Sequence, residues 1–145
     1  MIEGRTQARR AGACYARGML TVAEADALFA RRRDAWLAED IDAYLACWAE
    51  DMTFVSPVHQ EPVRGRDAYA ALIRASAATV RPLRFDVAHL AVRDDVVLAE
   101  WEIEAEHRAS GARLRWRGMS AARYRDGRIA WWREYWNPAA LGLGS

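Results

Sequence analysis

The sequence predicts an α+β domain in which helices cover one face of a curved, antiparallel sheet. Apolar residues recur at helical spacing in the first half of the chain, whereas from Leu83 onward they alternate with a period of two. The chain has 145 residues, which is the usual size of one domain. Helices and strands that are segregated along the chain in this way are typical of α+β folds.

Three helices are predicted before the sheet. Thr21 and Glu24 have the spacing of a capping box, which predicts a helix from there to about Ala38. One side of this helix carries Leu28, Phe29, Arg32 and Trp36. Asp40 is a cap for a second, shorter helix, whose apolar residues at helical spacing are Ile41, Tyr44, Leu45 and Trp48. A third, Ala-rich helix is predicted over residues 67–78.

The strands are bounded by turn residues. A brief strand is predicted over residues 52–56, ended by Pro57, and the two prolines and one glycine of residues 57–65 predict a loop. The alternating half of the chain then predicts an antiparallel meander over residues 83–93, 96–107, 112–124 and 128–136.

Charges fix the register of the hairpin around Ala109 and Ser110. One alignment places three acidic residues directly opposite three basic ones, as the pairs Glu106–Arg113, Glu104–Arg115 and Glu102–Arg117. Each opposite-charge pair across two strands contributes about 0.2–1 kcal/mol. This face of the hairpin is therefore predicted to be wet, and the other to face the core or a cavity.

Two registers remain open for the last hairpin. A two-residue turn at Asp126 and Gly127 would turn Trp131, Arg133 and Tyr135 inward. A three-residue loop would instead place Glu134 inside, opposite Gly118. In that register the inner face carries one carboxylate among four indoles, Trp101, Trp116, Trp132 and Trp136.

Composition excludes several classes of function. The net charge is +1, and residues 19–145 carry 17 Arg against 19 acidic residues, so a nucleic-acid-binding protein is not expected. There is no Lys, which excludes a Schiff-base nucleophile and a phosphate-loop lysine. The three histidines lack metal-ligand spacing and no Gly-rich phosphate loop follows a strand. We therefore expect neither a metal nor a cofactor.

Residues 1–18 are interpreted as an extension that precedes a single domain over residues 19–145. Ile2-Glu3-Gly4-Arg5 matches a protease-cleavage linker of expression vectors, and Met19 is an alternative start. A natural helix that packs on the domain is the other interpretation. No apolar run has the length of a membrane span or the position of a secretory signal. We therefore expect a cytoplasmic protein with Cys14 and Cys47 reduced and no membrane contact.

The chain resembles the nuclear transport factor 2-like superfamily, and within it the SnoaL-like polyketide cyclases. The resemblance covers roughly residues 21–141 and rests on the order of three motifs: Arg64-Gly65-Arg66-Asp67-Ala68, Asp126-Gly127-Arg128-Ile129 and Trp132-Arg133-Glu134-Tyr135-Trp136. It implies a cone-shaped cavity between three helices and a strongly curved sheet, and a homodimer. In several enzymatic branches the position that matches Glu134 carries a proton-handling carboxylate. The resemblance therefore favours the register with Glu134 inside.

The chain also departs from one branch of that superfamily. Limonene-epoxide-hydrolase-like members carry an Arg and an Asp at the positions of Trp101 and Ile103. They carry a Tyr and an Asn at the positions of Phe54 and Ser56. Water activation by that set of residues is therefore not expected here.

These observations predict a cofactor-independent enzyme that acts on a small, apolar, ring-bearing metabolite as a cyclase, isomerase or dehydratase. Glu134 is the predicted general acid or base, and His59, in the loop after the first strand, is a second catalytic candidate. An ion pair of Glu134 with Arg32 is the structural alternative. The predicted substrate-binding residues are Trp36, Tyr44, Trp48, Phe54, Ser56, Trp101, Ile103, Trp116, Ser120, Trp132 and Trp136.

Two other functions stay open from the sequence. One is a non-catalytic ligand-binding or dimeric scaffold module, whose cavity is filled by its own Trp side chains. The other is a hydrolase in which Glu134 activates water. Trp131, Met119 and Tyr135 are predicted on the outer face of the sheet, where they would form the homodimer interface.

Overall fold

A computed structural model describes residues 19–143. In chain order its elements are α1 (Val22–Leu37), α2 (Ile41–Ala46), β1 (Trp48–Val55), β2 (Val63–Arg64), α3 (Arg66–Thr79), β3 (Val80–Arg93), β4 (Val96–His107), β5 (Arg113–Arg125), β6 (Arg128–Trp136) and a 3₁₀ helix (Pro138–Leu141). The predicted α+β class is confirmed. The predicted extension over residues 1–18, including Cys14, lies outside the described residues.

The first two helices begin where the sequence predicts. The Thr21 side chain accepts a hydrogen bond from the Glu24 backbone N–H at 3.1 Å, and the Glu24 carboxylate accepts one from the Thr21 N–H at 2.8 Å. The Asp40 carboxylate likewise accepts from the Ala43 N–H at 2.9 Å. These bonds satisfy backbone donors of a first helical turn, which have no partner within the helix.

The second helix ends earlier than predicted. It stops at Ala46 with Cys47 as its cap, and Trp48 is the first residue of β1 rather than part of α2. The helical spacing of Trp48 was therefore misleading. As a strand residue, Trp48 is fully buried, with its ring centroid 4.4 Å from that of Tyr69 on α3.

The sheet has six strands in the order β2-β1-β6-β5-β4-β3. The predicted meander from β3 to β6 is confirmed, but a wholly antiparallel sheet is wrong, because β1 pairs parallel to β6. The pairing joins the first long strand to the last one, with α3 and the other strands between them in the chain. Local alternation of apolar residues carries no information on so distant a partner.

The charge ladder of the β4–β5 hairpin is confirmed. Glu102, Glu104 and Glu106 lie opposite Arg117, Arg115 and Arg113, as predicted. The closest contacts are 2.9 Å between Arg117 Nε and Glu102 and 3.2 Å between Arg115 Nη2 and Glu104. We call these six residues the outer ladder. They lie on the face of the sheet that is opposite to the helices.

The register of the last hairpin differs from the prediction by two residues. Asp126 and Gly127 form a two-residue turn with φ of 52° and 72°, not part of a three-residue loop. A bulge then leaves Ala130 as an extra residue of β6, so that the strand returns to the predicted face. Glu134 therefore lies opposite Ser120, and Gly118 lies opposite Trp136.

The core lies between the helices and the inner face of the sheet. Its largest fully buried side chains are Trp48, Met52, Tyr69, Val97, Ile129 and Trp132. The Trp101 indole lies across Gly118, where an added Cβ would come within 2.6 Å of the ring. Cys47 is buried as a free thiol. None of the helices within residues 19–143 is long and apolar enough to cross a bilayer.

Candidate active site

A cavity of about 500 Å³ lies between the helices and the inner face of the sheet. Its lining is mostly aromatic and aliphatic, with a few polar groups. The predicted site residues that line it are Trp36, Tyr44, Phe54, Ser56, His59, Trp101, Ile103, Trp116, Glu134 and Trp136. A largely apolar cavity of this size with few polar groups is typical of a small-molecule site.

Three of the predicted substrate-binding residues do not line the cavity. Trp48 and Trp132 are fully buried, and Ser120 is 3% exposed. Ser120 accepts a hydrogen bond from the Trp101 indole N–H at 3.1 Å. These three side chains support the cavity wall from behind instead of forming its surface.

The carboxylate of Glu134 is held by two indoles of its own strand. Trp132 Nε1 donates to one oxygen at 3.0 Å and Trp136 Nε1 to the other at 2.9 Å. Residues two apart on a strand point to the same face, so the Trp-x-Glu-x-Trp spacing of β6 places the acceptor between both donors. Each carboxylate oxygen retains a second lone pair with which a ligand proton can interact.

Opposing influences act on the pKa of Glu134. Burial disfavours the charged carboxylate and is the largest of them, so the pKa is raised above its usual value. The two indole N–H bonds and the positive charge of Arg32 act in the opposite direction. A carboxyl group with a raised pKa in a cavity is suited to exchange protons closer to neutral pH than an exposed one.

His59 lies in the loop after β1, at the same cavity. Its Nδ1 is 2.8 Å from the Ser56 hydroxyl, and its ring contacts Phe54 edge-on with 6.0 Å between centroids. Ser56 is 5% exposed and therefore fixed. The hydrogen bond to Ser56 holds the His59 ring and leaves Nε2 as its second protonation site.

Three polar side chains, those of Arg32, Tyr44 and Tyr69, lie together on the helical side of the cavity. The first two were named from the sequence, but Tyr69 was not. Arg32 Nη2 donates to the Tyr44 hydroxyl at 3.3 Å, and the Tyr44 and Tyr69 hydroxyls are 3.0 Å apart. The Arg32 guanidinium lies over the Trp132 ring, 4.0 Å from its centroid, and makes no hydrogen bond or ion pair with Glu134. The predicted alternative, an Arg32–Glu134 ion pair, is thus replaced by a cation–π contact.

Other lining residues were absent from the sequence prediction. Tyr69, Leu72 and Ile73 line the cavity from α3, and their helical spacing was a signal available in the sequence. Burial raises the pKa of Tyr69 well above its usual value, so it acts as a hydroxyl. Leu141 and Leu143 line the cavity from beyond β6. No periodic pattern marks them, because a short 3₁₀ helix positions them.

The described residues offer no metal centre: within residues 19–143 no group of three or more His, Cys, Asp or Glu side chains is arranged to hold an ion. The polar groups that line the cavity are one carboxylate (Glu134), two imidazoles (His59 and His107), two guanidinium groups (Arg32 and Arg33) and several hydroxyls. Such a set can bind an oxygen-bearing ligand and transfer protons.

Solved structures with the same fold come from several kinds of protein. A proposed isomerase from Bacillus subtilis is 23% identical, with a TM-score of 0.75 over 82% of this chain and 90% of that one. An LEH-like epoxide hydrolase from M. tuberculosis is 22% identical, with a TM-score of 0.71 over 83% and 90%. A proposed polyketide cyclase from Pseudomonas putida is 20% identical, with a TM-score of 0.67 over 79% and 92%. At these identities the likeness concerns the fold.

Sequence comparison assigns the family. A comparison with curated proteins finds no match. A sequence model of the SnoaL-like domain matches residues 29–132, from Phe29 within α1 to Trp132 within β6. The chain therefore belongs to the SnoaL-like domain family.

Proposed function

We propose that this protein is a cofactor-independent enzyme that uses Glu134 as a general acid or base on a small cyclic metabolite. One observation carries the proposal: a carboxylate with a raised pKa, held by two indole N–H groups, lines an apolar cavity of about 500 Å³. The two bonds fix the orientation of the carboxylate before a substrate binds, which lowers the cost of reaching the reactive geometry.

In the proposed reaction, Glu134 removes a proton from an acidic carbon of the substrate. The electron pair of that bond moves onto an adjacent carbonyl oxygen, and Glu134 then returns the proton to another atom. Return to a second carbon gives isomerisation, and return to a hydroxyl that departs as water gives dehydration. His59 is proposed as a second proton-transfer group, because it lies at the same cavity and its ring is held by Ser56.

The proposed substrate is apolar and carries rings. Trp36, Trp101, Trp116 and Trp136 line the cavity, and indole faces bind flat rings by stacking. Trp101, Trp116 and Trp136 lie on the inner face of the sheet and Trp36 lines the cavity from α1, an arrangement that supports the cone-shaped cavity that the resemblance implies. The cyclase, isomerase and dehydratase activities that the sequence predicted all fit this description.

We further propose that the active form is a homodimer joined through the outer face of the sheet. Met119 is 52% exposed and Tyr135 59% exposed on neighbouring strands of this face, and Leu98 on β4 is 45% exposed. Clustered exposed apolar side chains favour an interface. We expect light scattering to give the mass of two chains, and the mass of one chain would contradict the dimer.

The two alternatives are less well supported. In a scaffold with a Trp-filled cavity, indoles would occupy the space beside Glu134, whereas Trp48 and Trp132 lie behind the wall and the cavity stays open. A hydrolase of the epoxide-hydrolase kind would need polar groups where this chain has Trp101, Ile103 and Phe54.

Proton transfer can be tested without the natural substrate. The ring-bearing ketone 2-tetralone is incubated with the protein in D2O, and proton NMR follows the exchange of its α-protons. We expect the wild type to accelerate exchange and Glu134→Gln to lower the rate by roughly 10²–10⁴-fold, the usual worth of general acid–base catalysis.

The matched control is Glu104→Gln, which removes the same charge from the outer face of the sheet. It should exchange the probe at the wild-type rate. Exchange by Glu134→Gln at the wild-type rate would overturn the proposal. An absence of acceleration by the wild type would also contradict it and would favour the binding module, whereas incorporation of solvent ¹⁸O into an epoxide probe would favour the hydrolase.

A further inference from the structure

Arg32 is a buried cation without an anionic partner. Its residue is 8% exposed, and its Nε and Nη1 atoms have neither solvent contact nor a hydrogen-bond acceptor. The ion pairs among residues 19–143 do not involve Arg32. Its one hydrogen bond goes to the neutral Tyr44 hydroxyl. A guanidinium in this position is rare in proteins, because buried charges are normally paired.

Aromatic rings surround the guanidinium but do not neutralise it. The Arg32 Cζ atom lies 4.0–5.9 Å from five ring centroids, those of Phe29, Tyr44, Trp48, Phe85 and Trp132. Ring faces attract a cation through their quadrupole, but they carry no net charge. The positive charge of Arg32 therefore remains available to attract an anion at the cavity that it lines.

Glu134 does not supply that anion by contact. Both of its oxygens are occupied by indole N–H donors, and one of those donors belongs to Trp132, whose ring lies against Arg32. Trp132 thus contacts the cation with its ring face and the carboxylate with its N–H. The charges of Arg32 and Glu134 are consequently separate within the cavity.

Two hydroxyls extend the polar region at Arg32. Tyr44 accepts the hydrogen bond from Arg32, and the Tyr44 and Tyr69 hydroxyls are 3.0 Å apart. Both tyrosines line the cavity together with Arg32. One of the two hydroxyl protons lies in the bond between the tyrosines, and the other remains to donate to a ligand. A fixed positive charge beside a hydroxyl donor in a largely apolar cavity is suited to bind an oxyanion.

We propose that Arg32, Tyr44 and Tyr69 form an anion subsite that binds the carboxylate of a planar, ring-bearing substrate, while the rings lie on the indole wall. This inference rests on the proposed function, which supplies the stacking of the substrate rings on the indoles and the catalytic role of Glu134. It adds the substrate class, which is an aromatic or unsaturated carboxylic acid. The carboxylate end is held on the helical side of the cavity, and the reacting carbon lies near Glu134.

The test compares 2-naphthoate with 2-naphthamide, which has the same shape without the charge. Isothermal titration at pH 7.5 measures the affinity of each probe for the wild type and for Arg32→Met, which keeps an apolar stem. We expect the wild type to bind naphthoate at least tenfold more tightly than naphthamide. Arg32→Met should lose this preference and keep its affinity for naphthamide. Replacing an unpaired buried cation by an apolar residue is compatible with folding, which circular dichroism would verify.

Two further variants make the test specific. Arg117→Met removes a charge of the outer ladder that pairs with Glu102, outside the cavity, and it should change the affinity for naphthoate less than twofold. Glu134→Gln should bind naphthoate several-fold more tightly than the wild type, because a like charge has been removed from the cavity. The double variant Arg32→Met/Glu134→Gln should show no preference for naphthoate, because the charge that attracts the carboxylate has been removed; a preference that persists in it would contradict the role of Arg32.

The result that would overturn the anion subsite is a wild type that binds naphthoate no more tightly than naphthamide, including binding of neither. A preference that survives in Arg32→Met would also overturn it. The ketone exchange experiment tests proton transfer by Glu134 with a probe that carries no carboxylate. The two proposals can therefore fail independently. If the preference for naphthoate depends on Arg32 but the ketone shows no proton exchange, the proposed catalysis is wrong and the anion subsite is supported.

Discussion

The two faces of the sheet use the same two residue types, Glu and Arg, in opposite ways. On the outer face, Glu104 pairs with Arg113 and Arg115, whose side chains are more than half exposed. On the inner face, Glu134 accepts hydrogen bonds from two indoles, and Arg32 lies on an aromatic ring. The outer charges are paired and hydrated, whereas the inner charges are neither directly paired nor well hydrated.

The difference shows what decides the role of a charged side chain. Exposed ion pairs gain little, because water screens both charges and would solvate them in the unfolded chain as well. In the cavity the same charges lose hydration, and the loss appears in the raised pKa of Glu134. The outer ladder thus contributes to register, while the inner charges keep the capacity to interact with a ligand.

The largest expected difference between the two faces is in the loss of stability when one of two adjacent tryptophans of β6 is replaced. Trp132 is fully buried, while Trp131 is partly exposed and stacks with Arg133. Trp132→Phe should lower the free energy of unfolding by about 2–4 kcal/mol, because it leaves a cavity and removes the N–H donor to Glu134. Trp131→Phe should cost less than about 1 kcal/mol. Urea unfolding measures both. Equal losses would mean that the two faces are equally packed.

A smaller effect is expected in the pH dependence of stability. Because the pKa of Glu134 is raised in the folded state, the folded protein binds more protons than the unfolded one between the usual pKa of Glu, about 4.3, and the raised value. The free energy of unfolding therefore falls as pH rises through this window. Each pH unit between the two pKa values corresponds to about 1.4 kcal/mol.

Glu134→Gln removes this dependence. Its single side-chain oxygen leaves one of the two indole N–H groups without an acceptor, which lowers stability by an amount that does not vary with pH. Relative to the wild type, the variant should therefore become more stable as pH rises from 4 to 8, as measured by urea unfolding across this range. A stability deficit of the variant that stays constant or grows as pH rises would show that burial does not dominate the pKa of Glu134.

The smallest effect is expected on the outer ladder. Glu104→Gln removes two cross-strand ion pairs and should lower the free energy of unfolding by about 0.5–1 kcal/mol. At about 1 M NaCl, where the Debye length is about 3 Å, the loss should shrink toward zero. A loss that persists at high salt would indicate that the outer ladder is covered instead of hydrated.

The sequence predicted the helices and strands better than it predicted how the strands pair. The caps at Thr21 and Asp40, the β4–β5 register and the inward face of Glu134 follow from interactions within a few residues or one hairpin. The prediction that Glu134 faces inward is correct, but the three-residue loop on which it was based is wrong. The turn has two residues, and the bulge at Ala130 restores the alternation. Alternation reveals which face a residue occupies, but it does not reveal a bulge.

The sequence predicted some residues of the candidate site correctly and misplaced or omitted others. The residues of the sheet that line the cavity alternate along their strands, so the sequence identified Trp101, Ile103, Trp116 and Trp136. It assigned Trp48 and Trp132 to the cavity surface, where an aromatic residue cannot be distinguished from a core residue by its spacing. It omitted Tyr69, although the helical spacing of Tyr69, Leu72 and Ile73 contained a signal.

By itself, the sequence determined the α+β order of elements, the helix caps and the outer ladder, because each depends on residues that are close in the chain or face one another across a tight hairpin. Only the tertiary structure decided that β1 runs parallel to β6 and that Trp132 contacts both Arg32 and Glu134. These contacts join residues that are distant in the chain. They are selected by how the helices pack on the sheet, and no local propensity encodes that packing.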